Sequence, residues 1–181
     1  MADLTEKTVA SKSLYKGKII DVYCDDISLP DGKPAKREYI KHVGAACVVP
    51  LTDDGDVIMV NQFRYPFHAV LTEVPAGKLD GKNENPLDAA VRELKEETGA
   101  SAKEMIYMGA YYPTCAYSDE VIHMYLAKEL SFGETHFDDD EFIEYEKVSL
   151  DALIEKIMSG EIKDGKTQTA LLKAYYIVNK K

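Results

Sequence analysis

The sequence predicts an α/β domain preceded by a small antiparallel β piece, on three observations. Apolar runs of strand length, at Ala45 to Leu51, Val57 to Gln62, Ile106 to Tyr112 and Val121 to Leu130, share the chain with segments that carry helix signals. One of those segments, Pro86 to Thr98, has both of its ends marked by capping residues. Ahead of the first apolar strand, residues from about Ser13 to His42 carry β-type runs broken by a Pro-Asp-Gly turn.

Each element has its own reason. In the N-terminal piece the runs are Leu14 to Leu29 and Arg37 to Val43, with the turn at Pro30, Asp31 and Gly32. A sheet that small is not stable alone, so it must lie on the main domain, on another subunit or on both. The boundary falls so that residues 1–43 form the extension and residues 44–181 the main domain. Ala45 to Leu51 and Val57 to Gln62 flank a hairpin turn of Asp53, Asp54, Gly55 and Asp56 and belong to the central sheet. In the helix, Asn85 is an N-cap, Pro86 suits the first helical position and Gly99 supplies the left-handed residue that ends it. Leu87, Ala90, Val91 and Leu94 recur at helical spacing and predict a stripe facing the core. Two further strands are joined by Pro113 to Glu120. An acidic loop, Phe137 to Glu144, enters a strand from Ile143 to Val148. Ser149 caps a helix of Leu150 to Met158 that Gly160 ends, and a last helix spans Thr167 to Val178. Their apolar spacing assigns both to covering a sheet.

Bulk properties narrow the function classes. A chain of 181 residues with 45% hydrophobic residues can bury one substantial core. The formal charge of −10 argues against nucleic acid and anionic membranes as partners, and an anionic substrate would need local basic residues or a metal. Cys24, Cys47 and Cys115 are odd in number and lack a CxxC pair, which fits reduced thiols in a cytoplasm rather than a disulfide frame or a zinc site. The N-terminal stretch lacks the apolar centre of a signal peptide, and no run approaches the roughly 18 apolar residues of a membrane span.

The capped helix carries an anomaly. Glu93, Glu96 and Glu97 stand three and four residues apart, which puts three carboxylates on one face of its last turns. Like charges at this spacing repel by about 0.2–0.5 kcal/mol a pair, and carboxylates near a C-terminus also oppose the helix dipole. Arg92 reaches Glu96 one turn on, yet one guanidinium does not neutralise three acids, whereas a hard divalent cation with oxygen ligands does. Three glutamates alone would otherwise read as a solvated face.

With Gly77, Glu84, Arg92, Glu93, Leu94, Glu96, Glu97 and Gly99 in place, the stretch Gly77 to Ala100 resembles the signature box of the Nudix hydrolase family. That pattern puts five residues between its first glycine and first glutamate; here Lys78 to Asn83 make six, so the loop is one residue longer. From Glu84 onward the register matches. The resemblance implies an α/β/α sandwich with a mixed sheet, to which the N-terminal antiparallel β extension is added. The wider layout resembles the ADP-ribose pyrophosphatase branch of the family, where such an extension implies a homodimer.

The resemblance also implies roles. Glu93, Glu96 and Glu97, with the backbone carbonyl of Ala76 in the Glu73-Val74-Pro75-Ala76 lead-in, would hold Mg²⁺ or Mn²⁺, and Glu73 would lie on the substrate side. Arg37 and Glu38 match residues used near the adenine and phosphates, against a reading of them as a solvated strand edge. Arg64 follows a buried strand in a Gln62-Phe63-Arg64-Tyr65 segment like the branch's own. It is read either as a phosphate contact or as a surface ion pair. Relatives that hydrolyse ADP-ribose commonly carry Ser-Pro-Gly before a glutamate; here Thr114, Cys115 and Ala116 stand there, and Glu120 is kept. Tyr111, Tyr112 and Tyr117 are packing residues or walls for a base. The acidic loop would supply the group that deprotonates or orients the attacking water, Glu141 first and Asp139 second.

The function implied is metal-dependent hydrolysis of the pyrophosphate of ADP-ribose to AMP and ribose 5-phosphate. Alternatives are a hydrolase of another nucleoside diphosphate sugar, GDP- or UDP-linked, and a non-catalytic ADP-ribose sensor. The partner set is then a small nucleotide substrate and a second copy of the chain, with no nucleic acid and no membrane.

Overall fold

The computed structural model describes residues 2–133 and 143–180. They form two compact units, one of residues up to Val43 with Tyr112–Val121, the other of Gly44–Tyr111 with the described residues from Ile122 on.

The first unit is an antiparallel meander of β1 (Lys7–Lys16), β2 (Asp21–Ser28) and β3 (Pro34–Lys41). The expected run from Leu14 to Leu29 is two strands, because the chain turns where the Gly17 amide donates to the Ile20 carbonyl at 2.9 Å. The turn after β2 falls at the expected place, with Gly32 at φ +85° and its amide 2.8 Å from the Leu29 carbonyl. Tyr112–Val121 runs beside β3, the Ile40 amide donating to Tyr117 O at 2.8 Å and the His42 amide to Asp119 Oδ1 at 2.7 Å.

The second unit holds β4 (Ala45–Pro50), β5 (Asp56–Arg64), β6 (Ala69–Glu73), β7 (Ala76–Lys78), α1 (Pro86–Thr98), β8 (Ala100–Tyr111), β9 (Ile122–Phe132), β10 (Ile143–Ser149), α2 (Leu150–Met158) and α3 (Gly165–Asn179). Among the described residues, one sheet has the order β7-β4-β9-β8 and another the order β10-β5-β6. The first is mixed, since β4 and β9 run parallel while its other pairs are antiparallel. The Asp53 to Asp56 turn forms as expected, with Gly55 at φ +86°. However, β4 and β5 do not share the central sheet. They are joined by the Leu51–Val57 bridge and then separate, because β4 is flanked by β7 and β9 and β5 by β10 and β6.

Strand β4 is buried along its whole length, and its alternate residues face two helix layers. Cys47 and Val49 pack with Leu153 of α2 and Leu171 and Ala174 of α3. Ala46 and Val48 pack with Ala89, Ala90 and Leu94 of α1. The α/β/α sandwich follows from this two-sided burial. Asn85 Oδ1 accepts the Leu87 amide at 3.0 Å, and Gly99 closes α1 at φ +67°. The apolar stripe is narrower than its spacing predicts: Val91 is 46% exposed, while Ala89 takes a buried place. Helix α3 begins at Gly165, earlier than the Thr167 expected, because Asp164 is its N-cap. Among the described residues no helix is long and apolar enough to cross a membrane.

Candidate active site

The last turns of α1 carry two carboxylates into the protein. Glu93 and Glu97 are 9% and 3% exposed, although both are acids on a short helix. What they meet is backbone. Glu97 Oε2 accepts the Ala76 amide at 3.1 Å, and β7 brings Gly77 so close that a Cβ there would lie 1.8 Å from Glu93 Oε1. Gly77 is therefore required by contact with the carboxylate. Pairing with β4, through Ala46 opposite Gly77 and Cys47 opposite Ala76, holds the strand in place.

Arg92 answers the acids. Its Nη1 donates to Glu93 Oε1 at 2.7 Å and to Glu96 Oε2 at 3.1 Å, and its Nη2 to the Lys78 carbonyl at 3.1 Å. Glu84 and Asp80 lie 3.7 and 3.8 Å from the same guanidinium. Burial pulls the Arg92 pKa down, but the neighbouring Glu93, above all, holds it higher than usual. The extra loop residue is absorbed in a turn where the Glu84 amide donates to Gly81 O at 3.1 Å, and the Glu84 carboxylate folds back onto the Asp80 amide. Glu84 thus keeps its place beside Arg92.

These residues fit a hard divalent cation. The donors are all oxygen, and Glu93 and Glu96 already converge on a cationic nitrogen. Among the described residues, no three His, Cys, Asp or Glu side chains stand together at ligand spacing. Arg92 takes the place between Glu93 and Glu96, and Glu97 is drawn to Ala76. A metal held by Glu93 and Glu96 would share their carboxylates with the Arg92 guanidinium.

A second charged cluster forms around Glu73, at the end of β6. Arg64 Nε and Nη2 donate to its two oxygens at 2.7 Å each, and Lys166 Nζ donates to Oε2 as well. Lys166 also donates to Asp164 Oδ2 at 3.0 Å. Arg64 is thus an ion-pair partner of Glu73, and the bond to Glu73 raises its pKa against the pull of burial. Burial pushes the Asp164 pKa up, but Lys166 and the Thr167 amide outweigh it and hold the carboxyl below its usual range. Deeper in, burial pushes the Cys47 thiol up to about 12, so it stays protonated and unreactive.

Sequence reasoning gives α3 no chemistry and does not find Lys166. The expected start at Thr167 leaves Lys166 ahead of the helix, so a lysine opposing the dipole from the first turn shows only in the structure.

The remaining sequence-predicted residues belong to the first unit or fall outside the described residues. In the first unit Arg37 bonds Glu6, with Nε 3.0 Å from Oε2, and Glu38 stands opposite Cys24 in the β2–β3 ladder. Glu120 lies 3.6 Å from His42 Nδ1. Glu141 and Asp139 fall outside the described residues.

Comparison with known proteins adds two matching family profiles. The one described as NUDIX domain covers residues 41–168, and the one described as nucleoside diphosphate sugar hydrolase N-terminal domain covers residues 6–40. A protein of Bacillus subtilis named ADP-ribose pyrophosphatase is 44% identical over 94% of this chain and 93% of its own length. One of Bacillus methanolicus named methanol dehydrogenase activator is 37% identical over 92% and 90%. A crystal structure titled ADP compounds hydrolase superposes with a TM-score of 0.84 over 97% of this chain and 96% of that one, at 17% identity, which speaks for the fold.

Proposed function

The chain belongs to the Nudix hydrolase family, and on that premise we propose that it hydrolyses the pyrophosphate of ADP-ribose to AMP and ribose 5-phosphate with Mg²⁺ or Mn²⁺. The observation that carries the reading is the pair of buried carboxylates, Glu93 and Glu97, set against the backbone of Ala76 and Gly77. Glu93, Glu96, Glu97 and the Ala76 carbonyl would hold the metal, which supplies charge screening for the diphosphate and acidifies water.

The protein's own residues do the rest. Were a metal to draw Glu93 and Glu96 from it, Arg92 would keep Lys78 O, Asp80 and Glu84 as partners through Nη2 and Nε. Arg64 holds the diphosphate in line for attack, and Glu73 lies on the substrate side as the carboxylate that Arg64 pairs with until the diphosphate arrives. Glu141, with Asp139 as the second candidate, takes or steers the proton of the attacking water. Arg37 and Glu38 serve the substrate near its adenine and phosphates, and Glu120 is a further substrate-binding residue.

The same reading makes the protein a homodimer in a reducing cytoplasm. Supporting it, β1 is exposed at every position, Val9, Leu14 and Tyr15 included, and all three cysteines are free thiols. The Thr114-Cys115-Ala116 sequence keeps a GDP- or UDP-linked hexose as the second reading. Both are tested by offering a panel of nucleoside diphosphate compounds with Mg²⁺ and measuring phosphate released after phosphatase treatment. Turnover of ADP-ribose well above the hexoses is expected; preference for a hexose would replace the substrate, and binding without cleavage would make the protein a sensor.

A further inference from the structure

Glu73 is held by two cations, and the two are not alike. Arg64 grips it through two parallel bonds of 2.7 Å, yet its side chain keeps 37% of its exposure. Lys166 bonds the same Oε2 from a side chain only 11% exposed, and Glu73 itself is 2% exposed. A buried carboxylate thus has one interior cation and one that solvent, and hence a ligand, can reach.

The interior cation is firmly placed. Asp164 caps α3 by accepting the Thr167 amide at 2.9 Å and also accepts from Lys166 at 3.0 Å. Thr167, fully buried, accepts the Val74 amide at 3.0 Å, which joins the first turn of α3 to the segment between Glu73 and Ala76. The helix dipole disfavours a lysine here, so the two carboxylates must offset that cost. Removing a cation from a buried carboxylate is strongly unfavourable when nothing replaces it. With Lys166 present, Glu73 stays paired whatever Arg64 does.

We propose that Lys166 is a positioning residue: it keeps the charge of Glu73 balanced so that the outer partner, Arg64, turns its guanidinium to the substrate diphosphate without stranding a buried carboxylate. This rests on the reading of Arg64 as the phosphate contact. Without Lys166, Arg64 is committed to Glu73, and the diphosphate must compete with that carboxylate for it.

The test uses the full-length protein and ADP-ribose, with Kd measured by calorimetry in EDTA, where turnover stops, and KM and kcat measured with Mg²⁺. Lys166→Met is expected to raise Kd and KM about tenfold while kcat stays within about twofold, the signature of lost binding rather than lost chemistry. Lys166→Arg should restore both constants. Decisive is the double variant Glu73→Gln with Lys166→Met. Once Glu73 is neutral Arg64 is no longer held back, so the double variant should bind ADP-ribose as well as Glu73→Gln alone. If Lys166→Met does not fold, Lys166→Gln takes its place.

Arg64→Ala separates the two ideas. If it weakens binding but Lys166→Met does not, or if the Lys166→Met loss persists in the Glu73→Gln background, the role of Lys166 is overturned and the phosphate contact stands. If Arg64→Ala leaves Kd and KM unchanged, the phosphate contact falls and the role of Lys166 falls with it.

Discussion

Two charged clusters in the second unit are built as opposites. At the end of α1 one guanidinium, Arg92, is shared among four carboxylates: Glu93 and Glu96 by hydrogen bonds, Glu84 and Asp80 at 3.7 and 3.8 Å. At the end of β6 one carboxylate, Glu73, is shared between two cations, Arg64 and Lys166. The first cluster gains by admitting a further cation. The second has a cation it can lend to an anion. A diphosphate and the metal that accompanies it need one of each, and both clusters are tied to the ends of the same short segment, Glu73 and Ala76.

The contrast breaks most visibly at Glu97. Glu97→Gln keeps an oxygen for the Ala76 amide but removes a charge from the acidic cluster. Turnover with Mg²⁺ should fall about 100- to 1000-fold, the usual loss when one group that stabilises developing charge is removed. The thermal midpoint should stay the same or rise, because a repelling charge has gone. Near-normal kcat in a folded Glu97→Gln protein would show that this carboxylate does not serve the chemistry. Gly77→Ala attacks the same place sterically. Its Cβ would sit 1.8 Å from Glu93 Oε1, so the carboxylate or β7 must shift. Chemical denaturation should report a loss of about 1–3 kcal/mol, the range for overpacking, together with reduced turnover. Unchanged values of both would show that Glu93 moves aside freely.

The acidic cluster was legible in the sequence and the Glu73 cluster was not, for a physical reason. Everything that places Glu93, Glu96 and Glu97 is local: Asn85, Pro86 and Gly99 end the helix where they stand, and helical spacing puts the acids on one face. The bond between Lys166 and Glu73 joins residues 93 apart, and no local pattern encodes it. Arg64 in its sequence context fits a phosphate contact or an ion pair, and only the fold supplies its partner. The same division runs through the architecture. Strands β4 and β5 were recognisable as apolar runs, but their separation into two sheets depends on neighbours distant in sequence. Strand β1 gives no sequence signal over Lys7 to Ser13, because all ten of its residues are exposed and no burial pattern imposes an alternation of apolar and polar positions.

A gentler probe asks whether Arg92 and a divalent cation compete for the same oxygens. Arg92→Met should lower the midpoint measured in EDTA, by roughly 2–4 °C for each kcal/mol lost in a chain of this size. Saturating Mg²⁺ should then raise the midpoint of Arg92→Met more than that of the wild type, because the metal no longer displaces a guanidinium from Glu93 and Glu96. An equal Mg²⁺ shift in both proteins would place the metal away from Arg92.

The smallest effect belongs to the balanced cluster and is read in pH. Asp164 has a folded pKa below its ordinary 3.8, because Lys166 and the Thr167 amide outweigh the opposing effect of burial. A depressed carboxylate contributes stability that is fully present above its unfolded pKa and is lost as pH falls through the lower folded value. Asp164→Asn keeps a side-chain oxygen to cap α3, so the helix start survives and what is lost is the charge that faces Lys166. Urea midpoints should therefore show the variant slightly less stable than the wild type at pH 6, with the gap closing toward pH 3 as the wild-type carboxyl takes up its proton. An absent or pH-independent gap over this range would mean that the Asp164 charge adds no stability and that the residue acts through its capping oxygen alone. Lys166 would then owe its place to Glu73, with the Asp164 charge contributing nothing to hold it.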